Sequence, residues 1–424
     1  MVSYRALERL PELAASVQVP AEPLESFLKK QDAGIEILLR DQEAWARQAV
    51  ETYPPRPDAL AYRADPATTD AARRKMFLAA LRISPESRLA LYVQPDPWGP
   101  APDLARRLPA DAVNALEKSE ASQHLFLRID PGEMVPALAV VASASDEPDY
   151  GMDINLWSDS PSEVGKVYGF GKLPFGNPTL NFSTQAPFHM GFFHESSIIY
   201  RAAPFLKRTY PLLRVHQYAG LARLAFDTGH PYWGWRFMGL AMHYVQDLTQ
   251  PYHASVSPGN STARLIGINT LAMVGLPKWK NDMIVLLSNR HLAMESYESG
   301  LIRAAARTRK PGALEAALHD NSQDGRYPPW SASYVRNVVS KQAFDAGIAT
   351  DRTLVATLPA RDVSDPNFDF GAQEIPIDLV KELSTIDPAQ RARLDTAIAE
   401  LLGHFGAHSR ALVRGVRASV PPAK

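Results

Sequence analysis

A chain of 424 residues with 46% apolar and 21% charged content has room for two ordinary domains, or one with a large elaboration, and is globular rather than disordered. Its 45 basic and 46 acidic residues give a formal net charge of -1, so no global attraction draws it to nucleic acid or an anionic membrane, and nucleic acid is not the expected partner. The absence of cysteine excludes disulfides, zinc-thiolate sites and thiol nucleophiles together, which leaves His, Asp and Glu to build any metal site.

The first residues, MVSYRALERLPELAASVQ, are amphipathic and carry acids, unlike a secretory signal with a basic head and a continuous apolar stretch. Residues 22–52 set Leu24, Phe27, Leu28, Ile35, Leu38, Leu39, Trp45 and Ala49 at helical spacing before YPPRP ends the pattern, which predicts one amphipathic helix. From 86 to 145 the texture changes. ESRLALYVQP, QHLFLRID and VPALAVVASAS are short apolar or alternating runs between Pro and Gly, and they predict a small strand-containing layer. Residues 147–195 are rich in Gly, Pro, Ser, Asn and aromatics, too long for an idle connection; long structured loops usually carry function. After Tyr200, YPLLRVHQYAGLARLAFDTG closes on Gly229 and YWGWRFMGLAMHYVQDL opens after Pro231, a predicted helical hairpin. Further helices are expected over roughly 283–305, 332–347 and 388–416. No apolar run reaches the about 18 residues of a membrane span, and no transmembrane segment is expected. Internal repeats, a P-loop, a G-x-S-x-G elbow and a Rossmann fingerprint are all missing.

The chemistry concentrates in GLAMHYVQDLTQPYHAS, residues 239–255. His243 and Asp247 are i and i+4, so on a helix both leave one face and can converge on one ion. His253 follows beyond the turn at Pro251, and a second i, i+4 pair, His291 and Glu295, occurs in NRHLAMESY. Two helices that each offer an imidazole and a carboxylate are how helical bundles build multinuclear metal sites, and this thiolate-free donor set suits zinc with a position open for water. A lone pair of this spacing is more often a plain hydrogen bond. Here Phe237, Met238, Leu240, Met242, Tyr244 and Val245 turn the pair inward, where an unsatisfied imidazole and carboxylate would be costly. His404 and His408 repeat the spacing in an ordinary amphipathic helix and are read as structural.

The H-x3-D helix, the PYH turn and the later H-x3-E occur in that order, and YAGLARLAFDTGHPYWGWRFMGLAMHYVQDLTQPYHAS resembles the zinc-dependent phospholipase C family of the bacterial alpha-toxin type. More distantly it is similar to the S1/P1 nucleases; clear resemblance covers roughly residues 145–305. The resemblance implies a mainly α fold: a helical-bundle core at 147–310 carrying a multinuclear zinc site, an irregular or α/β elaboration at 1–146, and a helical extension at 311–424. It implies that His243 and Asp247 bind a first zinc pair with the Asp bridging, and that His253, His291 and Glu295 hold a separate zinc. Asp149 of EPDYG, with Asp153 as the alternative, is the implied loop ligand and general base. The implied upstream His is either His189 or His194 of PFHMGFFHE. The family's third zinc uses an N-terminal Trp and a nearby His, whereas this chain starts at Met1 and has no His before His124, so two and three zinc ions both stay open.

The implied activity is hydrolysis of phosphatidylcholine-like phospholipids, at a membrane or micelle interface, to diacylglycerol and a phosphorylated headgroup. A water at the metals, oriented by an ionised Asp149, attacks the phosphorus. The implied setting is a secreted or periplasmic bacterial protein, with a cytoplasmic or host-delivered protein as the alternative. Tyr150, Trp157, Tyr168 and Phe170 are candidates for a choline cage through cation-π contact. The segment 261–287 reads either as an apolar flap that touches lipid or as a helix packed over the core. Two competing expectations are an S1/P1-type nuclease acting on single strands and a non-catalytic helical protein whose motif residues form buried pairs. The balanced charge and the lack of cysteine speak against the nuclease.

Overall fold

The computed structural model describes residues 2–116, 124–177, 180–373 and 377–418. Proline punctuation and helical periodicity carry through to the architecture, which is mainly α, with 62% helix and 3% strand. The first third holds α1 (Val2–Leu7), α2 (Leu24–Lys30), α3 (Asp32–Ala49), α4 (Asp70–Leu81) and α5 (Ala137–Ala144). The single helix expected over 22–52 is two, because Gln31, at φ -107° and ψ 17°, interrupts the ladder between α2 and α3.

The strand layer is present but small. Its members are β1 (Gln18–Pro20), β2 (Tyr92–Val93), β3 (Arg107–Leu108), β4 (Phe126–Arg128) and β5 (Met134–Pro136). β1 pairs antiparallel with β5, and the other three form an antiparallel sheet in the order β2-β4-β3. VPALAVVASAS departs from the expectation, since beyond Pro136 it is helix α5 with Ala137, Val140, Val141, Ala142, Ser143 and Ala144 buried. A short continuous apolar run does not separate a buried strand from a buried helix; packing against the central hairpin decides it here.

Short helices α6 (Glu163–Val167), α7 (Ala186–His189) and α8 (Ser197–Ala202) punctuate the long loop. The hairpin follows as α9 (Pro211–Asp227) and α10 (Pro231–Asp247), each with Pro at its first position, where the missing N–H costs nothing. Gly229, at φ +79°, makes the left-handed turn between them. Every residue of α10 from Tyr232 to Gln246 is buried, so the helix that carries His243 and Asp247 is the central one. Gly239 lies one turn before His243. An added Cβ there would meet Ala144 Cβ and Val141 O at 2.5 Å, so the missing side chain is what lets α5 approach α10 closely.

Beyond the hairpin come α11 (Pro251–Ala254), α12 (Thr262–Met273), α13 (Lys278–Thr308) and α14 (Ala313–His319). A π-type turn over Val335–Ser340 runs into α15 (Lys341–Thr357), followed by α16 (Ala360–Ser364), α17 (Leu379–Glu382) and α18 (Pro388–Arg417). α18 packs on α1, α10 and α14, and one buried apolar cluster runs from Ala6 to Val416 through all three expected segments. Among the described residues no helix is long and apolar enough to cross a membrane.

Candidate metal centre

Local geometry delivers the donors from five directions. His243 and Asp247 close α10, and His291 and Glu295 lie one turn apart in α13. Gln250 caps α11 by accepting the Tyr252 N–H at 3.0 Å, a turn that brings His253 back beside α10. His189 ends α7, and Asp149 sits in a short 3-10 turn over Glu147–Tyr150. The segments around His189 and His253 are laced together: His253 Nδ1 donates to His189 O at 3.2 Å and Gly191 N–H donates to His253 O at 2.8 Å.

Two groups of converging donor atoms result, Asp149 with His189 and His243, and His253 with His291 and Glu295, each with its atoms within 4.8 Å of one another. In the first, His243 Nε2 is 3.0 Å from His189 Nδ1, and Asp149 Oδ1 is 3.7 Å from each. In the second, His291 Nε2 lies 2.8 Å from His253 Nε2 and 2.9 Å from Glu295 Oε1. Asp247 stands between the groups. Its Oδ2 is 2.8 Å from His189 Nδ1 and 3.3 Å from His243 Nε2, and its Oδ1 is 3.7 Å from His253 Nδ1.

The donor chemistry fits a dication in each group. His243 Nδ1 donates to Ser145 O at 2.7 Å, and His253 Nδ1 donates to His189 O. A carbonyl only accepts, so each neutral ring keeps its proton on Nδ1 and turns the Nε2 lone pair toward the cluster. Tyr252 stacks on the His291 ring, centroids 6.0 Å apart, and holds its plane. Three carboxylates crowding this recess call for positive charge, and in the chain alone protons supply it. Burial lowers His189 and His243, but Asp247 and Asp149 outweigh it and push them up to about 10 and about 9. Burial dominates at His253 and brings it down to about 4, so its ring is neutral near neutral pH. Asp149 is pushed up by burial, only partly offset by the two imidazoles, although half of its side chain stays open to the adjoining chamber.

Cation binding therefore has to displace protons from His189 and His243, and affinity is expected to rise with pH between about 6.5 and 9. Calorimetric zinc titrations in two buffers of different ionisation enthalpy measure the release directly; uptake without proton release would overturn the assignment. In chelated protein the sign reverses for stability. The imidazolium-carboxylate contacts are fully present below about pH 6.5 and are lost as pH rises through 9 to 10.

Asp153, the alternative loop acid, stands behind the cluster. Its Oδ2 accepts from Tyr244 Oη at 2.6 Å and lies 3.6 Å from His189 Nε2, a nitrogen with no hydrogen-bond partner among the described residues. Its Oδ1 accepts from Arg214 Nε at 3.0 Å and Nη2 at 2.6 Å. Burial alone would raise Asp153, but Arg214 and His189 hold it down at about 2, so it stays an anion that orients His189. Six residues before Asp153 lies a second such pair: Glu147 accepts from Arg236 Nη2 at 2.8 Å and Nε at 3.1 Å. The two buried ion pairs clamp residues 147–153 onto α9 and α10, with Asp149 exposed between them. The sequence reading missed both arginines. Their signal was a single charge in each otherwise apolar helix face, a position that arginine occupies only when paired.

His194 is a correction. Its Nε2 donates to Arg336 O at 2.8 Å and its ring rests against Phe344, because the chain leaves α7 extended at Met190 and carries His194 toward the Val335–Ser340 turn. The aromatic cage is a correction too. Tyr150, Trp157, Tyr168 and Phe170 are all buried; Trp157 Nε1 donates to Thr184 O, Tyr168 Oη donates to Ile83 O, and Arg82 already covers Phe170.

The donors open on a chamber of about 850 Å³ whose floor includes Asp149, His189, Asp247, His253, His291 and Glu295. Its walls are mainly apolar, with Phe175, Leu180, Phe192, Leu265, Ile284 and Leu287 among them. On the other side of the cluster a recess of about 180 Å³ is bounded by Val2 and Ser3 of α1, with Gln246, Gln250 and Glu298. No protein-family model, no curated protein and no solved structure matches this chain.

Proposed function

We propose that the protein is a zinc-dependent phospholipase C that hydrolyses the phosphodiester of phosphatidylcholine-like lipids to diacylglycerol and a phosphorylated headgroup. The observation that carries this reading is the placement of two imidazole-carboxylate groups on the floor of a large apolar-walled chamber. A phosphodiester with one greasy arm suits both features. A polynucleotide carries a charge at every linkage and calls instead for a basic groove with stacking aromatics.

Zinc held by these donors would neutralise the phosphate, lower the pKa of a coordinated water and steady the departing alkoxide. The chain's residues do the rest. Asp149 is the first-group carboxylate that faces the chamber, and Gln185 Nε2 donates to its Oδ1 at 3.2 Å, which holds it ready to take the proton of the attacking water. Asp153 keeps His189 turned toward the cluster, and the Ser145 carbonyl does the same for His243. Leu180, Phe192 and Leu287 offer the glycerol and acyl portion an apolar wall.

The deciding experiment counts zinc per chain by plasma mass spectrometry and assays the same sample on phosphatidylcholine and on single-stranded DNA, with and without chelator. At least one zinc for each of the two donor groups, with chelator-sensitive release of phosphocholine, is expected. Cleavage of DNA instead would assign the site to a nuclease. No metal and no activity would reduce the clusters to a buried polar seam.

A further inference from the structure

The connection from α12 to α13 carries surface that a water-soluble turn has no use for. Among the described residues of α12 none is buried, although TARLIGINTLAM is mostly apolar. Leu265, Ile266 and Ile268 are accounted for, because they line the chamber. The turn beyond is not: Met273 is 81% exposed, Val274 69%, Leu276 54% and Trp279 60%, and none of the four is among the described chamber-lining residues. The turn is well formed, with Gly275 at φ +89°, Gly275 N–H donating to Ala272 O at 3.2 Å and Leu276 N–H to Leu271 O at 2.9 Å. In such a helix ending the residue after the glycine usually tucks back against the helix, but Leu276 is left more than half exposed. Contiguous exposed apolar groups of this kind mark a surface meant to be covered.

Charge says by what. Residues 261–281 contain three basic residues, Arg264, Lys278 and Lys280, and no acid. Lys278 pairs with Asp282 at 2.6 Å, but its side chain is 74% exposed, and such surface pairs are weak. A tryptophan between two lysines, beside an apolar tip, matches the boundary between acyl chains and headgroup phosphates. The tip is also continuous with the chamber mouth, where Lys280 and Pro277 stand.

We propose that the α12–α13 turn is an interfacial anchor for an anionic lipid surface. Met273, Val274, Leu276 and Trp279 enter the acyl boundary, Lys278 and Lys280 meet the phosphates, and the chamber mouth is seated on the bilayer. The proposal rests on the phospholipase reading for the purpose of the anchor, but insertion itself needs neither metal nor turnover.

The test uses full-length protein carrying His243→Ala, so that binding is read without hydrolysis, in co-sedimentation with vesicles of phosphatidylcholine alone or of equal parts phosphatidylcholine and phosphatidylglycerol. Binding stronger on the mixed vesicles is expected, and Met273→Ser with Trp279→Ser should lower partitioning by about 10-fold or more. In the otherwise native chain, with His243 kept, the same two substitutions should leave the circular dichroism spectrum and hydrolysis of monomeric short-chain phosphatidylcholine unchanged. Undiminished vesicle binding by the double variant, or no binding by its parent, would overturn the anchor. So would sedimentation of the chain as a dimer that the substitutions dissociate, since the tip would then be covered by a second copy. Loss of vesicle binding on substitution, together with no hydrolysis of the monomeric lipid by the native chain, would keep the anchor and remove the phospholipase reading.

Discussion

On the proposed phospholipase reading, His243→Ala is expected to lower phosphatidylcholine hydrolysis by about 10³-fold or more, because loss of a zinc ligand would remove several kcal/mol of charge stabilisation and each 1.36 kcal/mol is tenfold in rate. His189→Ala should do the same. His194→Ala should leave the rate within about twofold, as its ring is engaged with the Arg336 carbonyl and lies outside both donor groups. Asp153→Asn should fall between, at roughly 10- to 100-fold, since Asp153 lies outside both donor groups and acts on the site by orienting His189 and by holding the Asp149 loop through Arg214. Zinc content measured on each variant separates a lost ion from a misplaced one. A His243→Ala protein that keeps its zinc and more than about a tenth of its activity would remove His243 from the machinery.

Arg214→Met is expected to destabilise the fold by about 3–5 kcal/mol, a large share of the typical 5–15 kcal/mol of a domain. The guanidinium is fully buried and makes five hydrogen bonds: two to Asp153 Oδ1, and one each to Leu81 O, Arg82 O and Gln217 Oε1. Removing it deprives the Asp153 anion of its main counter-charge in a dry setting and leaves only His189 at 3.6 Å, which costs more than the pair ever contributed. Urea unfolding near neutral pH followed by circular dichroism measures the loss; a change under about 1 kcal/mol would mean that water or another cation reaches Asp153. Pairing Arg214→Met with Asp153→Leu should restore much of the stability, because the stranded charge goes too, while activity stays low because His189 has lost its orienting partner. Stability and function therefore part company in the double variant. The pair also has a pH signature: Asp153 is depressed to about 2, so its contribution is present above about pH 3.8 and is lost as pH falls toward 2.

Much of the site was legible before any fold was known. An i, i+4 spacing on a helix is a local fact, so His243 with Asp247 and His291 with Glu295 share a face wherever α10 and α13 go. The hairpin, the PYH turn and the long helices near both motifs were legible for the same reason, since prolines, Gly229 and apolar periodicity act over a few residues. Tertiary packing decided what depends on distant segments meeting. It placed His189 rather than His194, and Asp149 rather than Asp153, in the donor cluster, although each pair is only four or five residues apart in the chain. It turned VPALAVVASAS into α5, because an apolar run takes its form from what buries it. It sent the loop aromatics inward and left the α12–α13 turn bare. Composition sets which side chains need burial or a partner; only the assembled chain determines which of them find one, because burial and charge pairing are properties of neighbours that the sequence does not place side by side.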